Sequence, residues 1–582
     1  MSSVRRALSR MRVDPNIWLV LAFSLFAVLP LAGPDYFFGA HDAPHTVFFL
    51  TEFDAAIRDG VWYPGWATDQ ALGYGYPTFV FYPPLAYYVA EGFHLLGAAK
   101  VAAVKWTWAL ATVGAGLAMY AYARHVMGRK RGLLAAIVYV YVPYHLVDIY
   151  VRAALAEYAS FVWMPLALLA FHRLVEKVTL PRIGYAGLAY GALFLSHNVT
   201  GLAFTPFLAL YVLFRLLMEP RVRKERLVRT LAALGAALLA FGIAAAMLLP
   251  GFFERRYINQ EQWVRETYDY ADHFVQPAHL LSGTWGYAPG PPGTEGVRSS
   301  QLGAVPLILS IITTVAAFRR PSGERALALA FAAGLILLLF LMLPISAPVW
   351  ELLPIVSLVQ FPWRLLALAA VALAVLSGLA IRTPDLAGLD GRVLILALVA
   401  ILGSYAYTLP QYTPTPQHAE EPRLSIEFEL DYTDMRGMTA WTEQMPETSP
   451  MVEQYLAGAK LITAEVLDPD AEMEMIRTGG ASDEVRVHSP NGTALRFYTY
   501  YFPGWRVYID GERLPDEALR AETVYGLITV DVPHGEHEVL LRWGDTPLRL
   551  TGKALTVFSL ILATALVVVP SVLRWRAAGR AQ

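Results

Sequence analysis

Long apolar runs separated by short basic loops constrain this chain of 582 residues more than any other feature. Its residues are 56% hydrophobic and 16% charged, whereas soluble domains carry about 25% charged residues. An apolar run of roughly 20 residues can cross a bilayer as a helix. The sequence therefore predicts an α-helical polytopic membrane protein with about twelve spans, at residues 16–32, 101–124, 132–150, 158–175, 183–195, 201–217, 227–250, 301–318, 326–343, 363–381, 393–409 and 552–573.

Basic residues in the short loops predict how these spans are oriented. Lys and Arg collect in cytoplasmic loops, and starting with the Arg-rich N-terminus inside places every basic cluster on that side. The clusters are at residues 129–131, 172–182, 221–226, 319–320, 382–392 and 574–576. We therefore expect a protein of the plasma (inner) membrane with both termini in the cytoplasm.

The distribution of basic residues also decides whether the apolar segment at residues 77–97 spans the membrane. Counting it as a span would move residues 129–131 outside and invert every later helix. It also contains Pro83 and Pro84, which interrupt a helix. We therefore place residues 33–100 outside, as a first outer loop that lies on the membrane within a transmembrane module of residues 1–410.

Two further blocks are predicted on the outer side. Residues 251–300 form a second outer loop with a Gly/Pro-rich tail at 288–293. Residues 411–549 alternate polar and apolar side chains between turn signals, which is typical of a β-sandwich. Residues 550–582 then form the final span and a cytoplasmic tail. The predicted strands of the sandwich are at residues 424–430, 495–501, 505–509, 528–532 and 538–543.

The first outer loop carries the strongest functional signal. Residues 39–45 place Asp42 at the mouth of the membrane, and an aromatic and proline-rich stretch follows at 73–88. Apolar residues at helical spacing over 49–57 predict a short interfacial amphipathic helix. Asp42 is a candidate for catalysis at the water–lipid boundary, and equally a candidate N-cap of this helix.

Other ionisable and polar residues are predicted at the same outer face. Such groups at membrane depth usually face a cavity or one another, and arginines suit an anionic ligand such as a lipid phosphate. The alternatives are mutual pairing of Arg152 and Glu157, a packing role for His197 and an interfacial anchor at Arg364. The candidate binding residues are His41, His45, Arg152, Glu157, His197, Asn198, Arg255, Arg256 and Arg364.

The sequence requires no cofactor. It contains no cysteine, which excludes thiolate chemistry. Imidazole and carboxylate are suitable ligands for a divalent metal, which Asp42 could hold with His41 and His45. Adjacent residues rarely chelate one ion together, so we assign no metal ligand.

The chain resembles the C-superfamily (GT-C type) of membrane glycosyltransferases. In detail it is similar to the bacterial pyruvoyl-tetrahydropterin-synthase-related membrane proteins and their YfhO-like relatives. The resemblance covers nearly the whole chain, and it includes one departure. Many superfamily members carry two adjacent acids in the first outer loop, where this chain has His41-Asp42. The matching residues are at 39–45, 60–66, 73–88, 196–198, 360–364, 501–505 and 507–511.

The resemblance implies a transferase that uses a polyprenyl-phosphate-linked sugar, with Asp42 as general base. The expected acceptor is a glycan, lipid or protein on the outer face, and no nucleic acid is expected as a partner. Two other functions remain open at this point. The protein could be a transporter or flippase of lipid-linked sugars, or a non-catalytic scaffold that uses its sandwich to hold a partner.

Overall fold

The structure is a computed structural model that describes residues 14–219, 222–263, 268–281, 300–352, 354–382 and 390–580. The Arg-rich N-terminus and the Gly/Pro-rich tail at 288–293 lie outside these residues. The helices of the N-terminal half are α1 (Pro15–Ala27), α2 (Ala43–Arg58), α3 (Thr78–Phe81), α4 (Leu85–Leu95), α5 (Lys100–Met127), α6 (Arg129–Tyr141), α7 (Pro143–Tyr150), α8 (Leu155–Glu176), α9 (Leu180–Ser196), α10 (Asn198–Met218), α11 (Arg223–Ile243) and α12 (Ala245–Phe253). Those of the C-terminal half are α13 (Pro277–Leu281), α14 (Ala304–Val315), α15 (Ser322–Met342), α16 (Ala347–Leu352), α17 (Leu366–Leu379), α18 (Gly391–Ser404), α19 (Arg423–Asp431), α20 (Val452–Ala457) and α21 (Pro547–Arg580).

All twelve predicted spans coincide with helices. Within the described residues, nine helices are long and apolar enough to cross a membrane. Two shorter apolar helices, Pro15–Ala27 and Ala304–Arg319, match the first and eighth predicted spans. The remaining one is α9, whose 17 residues make it short for a span, as the sequence indicates. The protein is thus a polytopic helical membrane protein.

The C-terminal domain is a β-sandwich of two antiparallel sheets. One sheet has the order β1-β4-β8-β7 and the other has β2-β3-β9-β5-β6. Fully buried residues of both sheets form one apolar core, which includes Phe497 and Val530 from the first and Val507 and Leu541 from the second. The strands are β1 (Ala464–Val466), β2 (Glu472–Thr478), β3 (Ser482–Ser489), β4 (Thr493–Tyr500), β5 (Trp505–Ile509), β6 (Glu512–Arg513), β7 (Arg520–Glu522), β8 (Leu527–Val532) and β9 (Gly535–Trp543).

The predicted strand at 424–430 is wrong, because these residues form helix α19. Leu424 and Phe428 are one helical turn apart and both are buried, and Arg423 pairs with Glu427 across the same spacing. The alternation of apolar residues is compatible with a strand. A strand here would have no neighbour, however, since the first strand of the sandwich begins at Ala464.

The first loop differs from a segment lying freely on a membrane. Helix α2 is buried on nearly every side, and even its charged residue Glu52 is 2% exposed. The Glu52 carboxylate accepts hydrogen bonds from the N–H groups of Thr68 and Asp69 at 2.8 and 3.0 Å. The predicted interfacial amphipathic helix is therefore a buried helix. Residues 77–97 form the two short helices α3 and α4 rather than one span.

Part of the first loop completes the core of the sandwich. The ring centroid of Trp66 lies 5.2 Å from that of Trp505 and 5.1 Å from that of Trp543, and Tyr74 stacks on Tyr500 at 5.4 Å. At Gly75, which has a φ of 76°, a Cβ atom would lie 2.2 Å from Nε1 of Trp66. Only glycine fits there, and its close approach leaves room for Trp66, which packs against Trp505 and Trp543 of the sandwich.

Candidate functional site

Asp42 lies at the start of α2, against the loop that joins α7 to α8. Its backbone N–H donates to the carbonyl of Arg152 at 2.7 Å, and that of His41 donates to the carbonyl of Val151 at 3.1 Å. Asp42 occupies the N-cap position, but its side chain makes no capping hydrogen bond. Among the described residues, the half-exposed carboxylate has no hydrogen bond or ion pair. Asp42 is therefore an N-cap by position only, and its side chain is accessible to a ligand.

Arg152 forms the centre of a buried ionic cluster beside Asp42. Its Nη1 atom lies 2.9 Å from Oε2 of Glu157, donates to the Tyr144 hydroxyl at 3.0 Å and donates to the Asp148 carboxylate. The Tyr144 hydroxyl in turn donates to Oε1 of Glu157 at 2.6 Å. The sequence-based alternative that Arg152 and Glu157 pair with each other is confirmed, but the pair belongs to a larger network.

Arg364 joins this cluster from the loop that precedes α17. Its Nε atom lies 3.5 Å from Oε2 of Glu157. Its Nη1 atom donates to Oε1 of Gln360 at 2.9 Å and to the carbonyl of Val359 at 3.0 Å. Gln360 has a φ of 62°, which turns the chain so that both ends of the motif at 360–364 meet. One carboxylate, that of Glu157, is therefore shared by two guanidinium groups.

The two aromatic residues of the same motif cover the arginines. Phe361 and Trp363 stack with a centroid distance of 5.0 Å. The guanidinium carbon of Arg152 lies 4.5 Å from the centroid of Trp363, and that of Arg364 lies 4.7 Å from the centroid of Phe361. Cation–π contacts of this kind strengthen when they are desolvated. The aromatic pair thus fixes both guanidinium groups in one place.

Several buried polar atoms around the cluster have no hydrogen-bond partner among the described residues. These atoms are Nε of Arg364, Nε1 of Trp363, Oγ of Ser196 and Oδ2 of Asp148. Buried polar groups are almost always paired, and three of these atoms can donate. Oε2 of Glu157 also has no hydrogen-bond partner within the described part of the chain, so the cluster offers a ligand both donors and acceptors.

Asp42 acts electrostatically on the cluster. After Glu157 and Asp148, it is a further acidic group whose charge favours the cationic form of Arg152. Tyr82, from the aromatic stretch of the first loop, lies within the field of Asp42 and Arg364. Burial raises the pKa of Tyr82, so its hydroxyl keeps its proton. The first loop thus contributes an acid and a phenol to the site.

His197 and Asn198 shape the turn between α9 and α10. The Nδ1 atom of His197 accepts a hydrogen bond from the N–H of Thr200 at 3.3 Å and lies 2.7 Å from the Thr200 hydroxyl. Burial lowers the pKa of His197 to about 3, so the ring is neutral, and it lies within electrostatic reach of Glu157. Asn198 donates to the carbonyl of Phe81 at 3.4 Å. His197 thus caps α10, and Asn198 holds the first loop against this helix.

His41 and His45 face different surroundings. His41 is exposed beside Asp42, whereas the ring of His45 packs against Phe48 and Phe428 at centroid distances of 5.0 and 4.5 Å. Burial lowers the pKa of His45, so its ring is neutral. In the described part of the chain, these two histidines and Asp42 do not form a group of three ligand atoms within 4.8 Å. The assignment of no metal ligand at Asp42 stays a prediction.

Arg255 and Arg256 make their contacts elsewhere. Arg255 stacks over Phe252 at 4.9 Å, and Arg256 stacks over Tyr257 at 4.8 Å. Both are exposed, and Arg256 lines a separate polar cavity of 560 Å³ between the second loop, the sandwich and the start of α21. The structure therefore brings Asp42, Arg152, Glu157, His197 and Arg364 together, but not Arg255 and Arg256.

An apolar cleft of 590 Å³ begins beside Arg364. Val359 and Leu365 line it at the end near the cluster, and Phe214 lines it further along α10. Its walls are formed by α10, α15, α16 and α17. The cleft can take a long apolar chain whose polar end meets the arginines.

Three members of the site were not singled out from sequence. Asp148 is four residues before Arg152, a spacing that places both on one face of a helical turn. Tyr144 is four residues before Asp148, so the same spacing could have found it. Trp363 is within a recognised motif, but only the structure shows its ring over Arg152.

The fold and site define a polytopic membrane protein with a charged cluster at the ends of its helices and a β-sandwich before its last helix. The chain belongs to the 6-pyruvoyl-tetrahydropterin synthase related family of membrane proteins, whose model matches residues 79–414. That range contains Arg152, Glu157, His197 and Arg364, and it begins after Asp42. No match was found among curated proteins.

Some solved structures are also similar to this chain. The Archaeoglobus fulgidus oligosaccharyltransferase in the apo form is 15% identical, with 69% of this chain and 56% of that one covered and a TM-score of 0.41. The arabinofuranosyltransferase AftD from Mycobacteria is 16% identical, with 67% and 26% covered and a TM-score of 0.42. The Archaeoglobus fulgidus AglB in complex with an inhibitory peptide and a dolichol-phosphate is 16% identical, with 67% and 55% covered and a TM-score of 0.39. The chain thus spans between 26% and 56% of the length of these solved chains.

Proposed function

We propose that this protein is a glycosyltransferase of the plasma membrane. It takes a sugar from a polyprenyl-phosphate-linked donor and transfers it to a glycan, lipid or protein on the extracytoplasmic face. The observation that carries the proposal is the position of Asp42. Its accessible carboxylate lies beside the buried Arg152 and the half-buried Arg364, at the end of an apolar cleft.

Asp42 is suited to act as general base. Its carboxylate has no hydrogen-bond or ion-pair partner among the described residues, so it can accept a proton from an acceptor hydroxyl. A general base of this kind increases a reaction rate by about 10²–10⁴-fold. The other carboxylates of the cluster, Asp148 and Glu157, already bind Arg152.

The arginines are suited to hold the phosphate of the donor. Guanidinium groups bind phosphate oxygens through parallel hydrogen bonds. Nε of Arg364 and Nε1 of Trp363 are among the nearby donors that make no hydrogen bond to the described residues. The apolar cleft beside Arg364 would hold the prenyl tail. In the proposed binding mode, the scissile bond would lie between Asp42 and the arginines.

The reaction then balances as a displacement. Asp42 takes the proton of the acceptor hydroxyl, while the oxygen of that hydroxyl forms a bond to the anomeric carbon of the sugar. The bond from that carbon to the phosphate oxygen breaks, and the electron pair leaves with the polyprenyl phosphate. Arg152 and Arg364 stabilise the charge that develops on the leaving group.

The described site favours transfer over transport. Transporters place their binding sites near the bilayer midplane, between repeats with broken helices. Here Arg152 lies between α7 and α8, and Arg364 lies in the turn before α17, so the charges are at helix ends. A flippase for lipid-linked sugars therefore remains the second candidate, and a non-catalytic scaffold the third.

The proposal is tested with membranes that contain the protein and radiolabelled polyprenyl-phosphate sugars. We expect label to move to an acceptor with the wild type and not with Asp42→Asn. Asp35→Asn, an exposed acid of the same loop, serves as the matched control and should transfer normally. Full transfer by Asp42→Asn would exclude Asp42 as base. Movement of lipid-linked sugar across proteoliposomes without chemical transfer would instead establish a flippase.

A further inference from the structure

A group of metal-ligating side chains lies at the opposite end of α8 from the candidate catalytic site. Within the described residues, His125, His172 and Glu176 bring one ligand atom each to within 4.8 Å of one another. Glu176 follows Glu157 by 19 residues on the same helix, which separates the two by about 29 Å. The group is therefore distinct from the cluster around Asp42.

The spacing of these atoms fits one divalent metal ion. Nε2 of His125 lies 3.1 and 3.2 Å from the two carboxylate oxygens of Glu176. Nε2 of His172 lies 3.3 Å from Oε1 of Glu176. Nitrogen and oxygen ligands bound to Zn²⁺ at about 2.0–2.1 Å at the corners of a tetrahedron lie about 3.3 Å apart. All three atoms can thus reach one ion with little movement.

A second layer of hydrogen bonds orients His172. Its Nδ1 atom lies 2.6 Å from the hydroxyl oxygen of Tyr211, and the hydroxyl of Tyr122 donates a hydrogen bond to Tyr211 at 2.9 Å. When Nδ1 donates its proton to Tyr211, the lone pair of Nε2 points toward Glu176. Histidine ligands of metals are usually held by such a partner on their other nitrogen.

We propose that His125, His172 and Glu176 form a Zn²⁺ site that joins the ends of α5 and α8. Two imidazoles and one carboxylate are a ligand set that zinc accepts, with a fourth position left for water. The nitrogen ligands disfavour Mg²⁺ and Ca²⁺, which prefer oxygen. The side chains of His125 and Glu176 are 27% and 34% exposed, so an ion can enter from solvent.

Neighbouring cations modulate this site. Nη1 of Arg182 lies 3.9 Å from Oε2 of Glu176 and donates to the carbonyls of Arg173 and Lys177. Arg215 is nearby but pairs with Glu219 at 2.7 Å. Arg182 therefore competes with the metal for Glu176, and its removal should tighten metal binding.

The test uses purified full-length protein in detergent, titrated with Zn²⁺ against a chromogenic chelator, and with Co²⁺ for its visible absorption. We expect one Zn²⁺ per chain and a tetrahedral Co²⁺ spectrum. His125→Gln, His172→Gln and Glu176→Gln should each weaken binding at least tenfold and abolish the spectrum. Tyr211→Phe, which keeps all three ligands, should weaken binding about tenfold, and Arg182→Ala should strengthen it.

The matched controls are His94→Gln and His418→Gln, which alter single His–carboxylate pairs elsewhere in the chain. They should leave the affinity and the spectrum unchanged. If a ligand variant does not fold, Tyr211→Phe and Arg182→Ala still test the proposal, because they should change the affinity for Zn²⁺ in opposite directions. Less than one Zn²⁺ per chain, or binding that is insensitive to all five substitutions, would show a hydrogen-bonded His–Glu–His bridge and overturn the proposal.

Discussion

Nη1 of Arg152 lies 2.9 Å from Oε2 of Glu157, and these side chains are only 9% and 1% exposed. The same oxygen lies 3.5 Å from Nε of Arg364. Removing one partner of a buried ion pair leaves an uncompensated charge, which destabilises a protein by about 3–5 kcal/mol. Glu157 compensates two charges at once, so the cluster depends on it.

Glu157→Gln should therefore lower the stability of the protein by several kcal/mol, about as much as the loss of a buried ion pair. The free energy of unfolding in detergent measures this. Glu427→Gln is the control, because Glu427 pairs with Arg423 at 2.6 Å on a more exposed surface. Such pairs contribute about 0–1 kcal/mol. Equal losses in the two variants would contradict a special role for Glu157.

Arg364→Lys should weaken binding of the lipid-linked donor while preserving the fold. Lysine keeps the charge beside Glu157 but cannot present a planar pair of donors to phosphate. Losing one hydrogen bond to a charged group corresponds to about 1.5–3 kcal/mol, or roughly a ten- to hundredfold rise in KM for the donor.

The control for Arg364→Lys is Arg256→Lys. Both arginines are candidates from sequence, but Arg256 stacks on Tyr257 at the sandwich. Its substitution should leave the KM for the donor unchanged. A similar rise in KM for both variants would mean that neither arginine recognises the phosphate specifically.

The apolar cleft offers a test of chain-length selection. Gly334 lies on α15 in the wall of the cleft, and a Cβ added there would meet only Phe207 at 3.6 Å. Gly334→Phe should fill part of the cleft and shift the preference toward donors with shorter prenyl chains. Competition between donors of different chain length measures this preference.

Gly323→Phe is the matched control for Gly334→Phe. It lies in the first turn of the same helix, where an added Cβ has nothing within 4 Å. We expect no change in chain-length preference. If Gly334→Phe also leaves the preference unchanged, the cleft does not hold the prenyl tail.

The membrane helices and most strands could be predicted because each depends on local pattern. About twenty consecutive apolar residues predict a membrane span whatever packs against it. Alternating polar and apolar residues likewise predict strands such as Trp505–Ile509. Residues 424–430 show the limit of that rule, because their apolar residues also fit one side of a helix. Only the absence of a neighbouring strand decides between a strand and a helix there. The burial of Glu52 likewise depends on Thr68 and Asp69 folding back over it.

The site was predictable where charge needs a partner within the membrane. Arg152, Glu157 and Arg364 are expensive at that depth, so each indicated an interaction, and the structure joins all three. Arg255 and Arg256 carried the same signal but follow the end of α12, where aromatic neighbours and solvent satisfy them. Sequence cannot distinguish these cases, since both groups of arginines flank an apolar run.

Asp483 provides a test of how the stability of the folded protein depends on pH. It is the second residue of β3, is 5% exposed, and its Oδ1 atom has no hydrogen-bond partner among the described residues. Burial raises its pKa from the ordinary value of 3.8 to about 7. The folded state therefore retains a proton that the unfolded state releases as pH rises above 3.8.

The stability contributed by neutral Asp483 is therefore fully present below the unfolded pKa and is lost as pH rises through the folded pKa, near 7. One pKa unit corresponds to about 1.4 kcal/mol, so the loss is at most about 4 kcal/mol. Asp483→Asn keeps the shape without a titrating proton. We expect its melting temperature to exceed that of the wild type by a few degrees at pH 8 and to match it near pH 4.

The comparison must be made as a difference between variant and wild type at each pH. Burial also raises the pKa values of Glu52, Asp69 and Glu429, so the wild type loses stability with rising pH at several places. Asp483→Asn should remove only the part of this pH-dependent loss of stability that comes from Asp483. Asp468→Asn, in the turn after β1, is the control and should leave the pH profile unchanged. A difference between Asp483→Asn and wild type that stays constant from pH 4 to pH 8 would mean that Asp483 is already ionised in the folded protein.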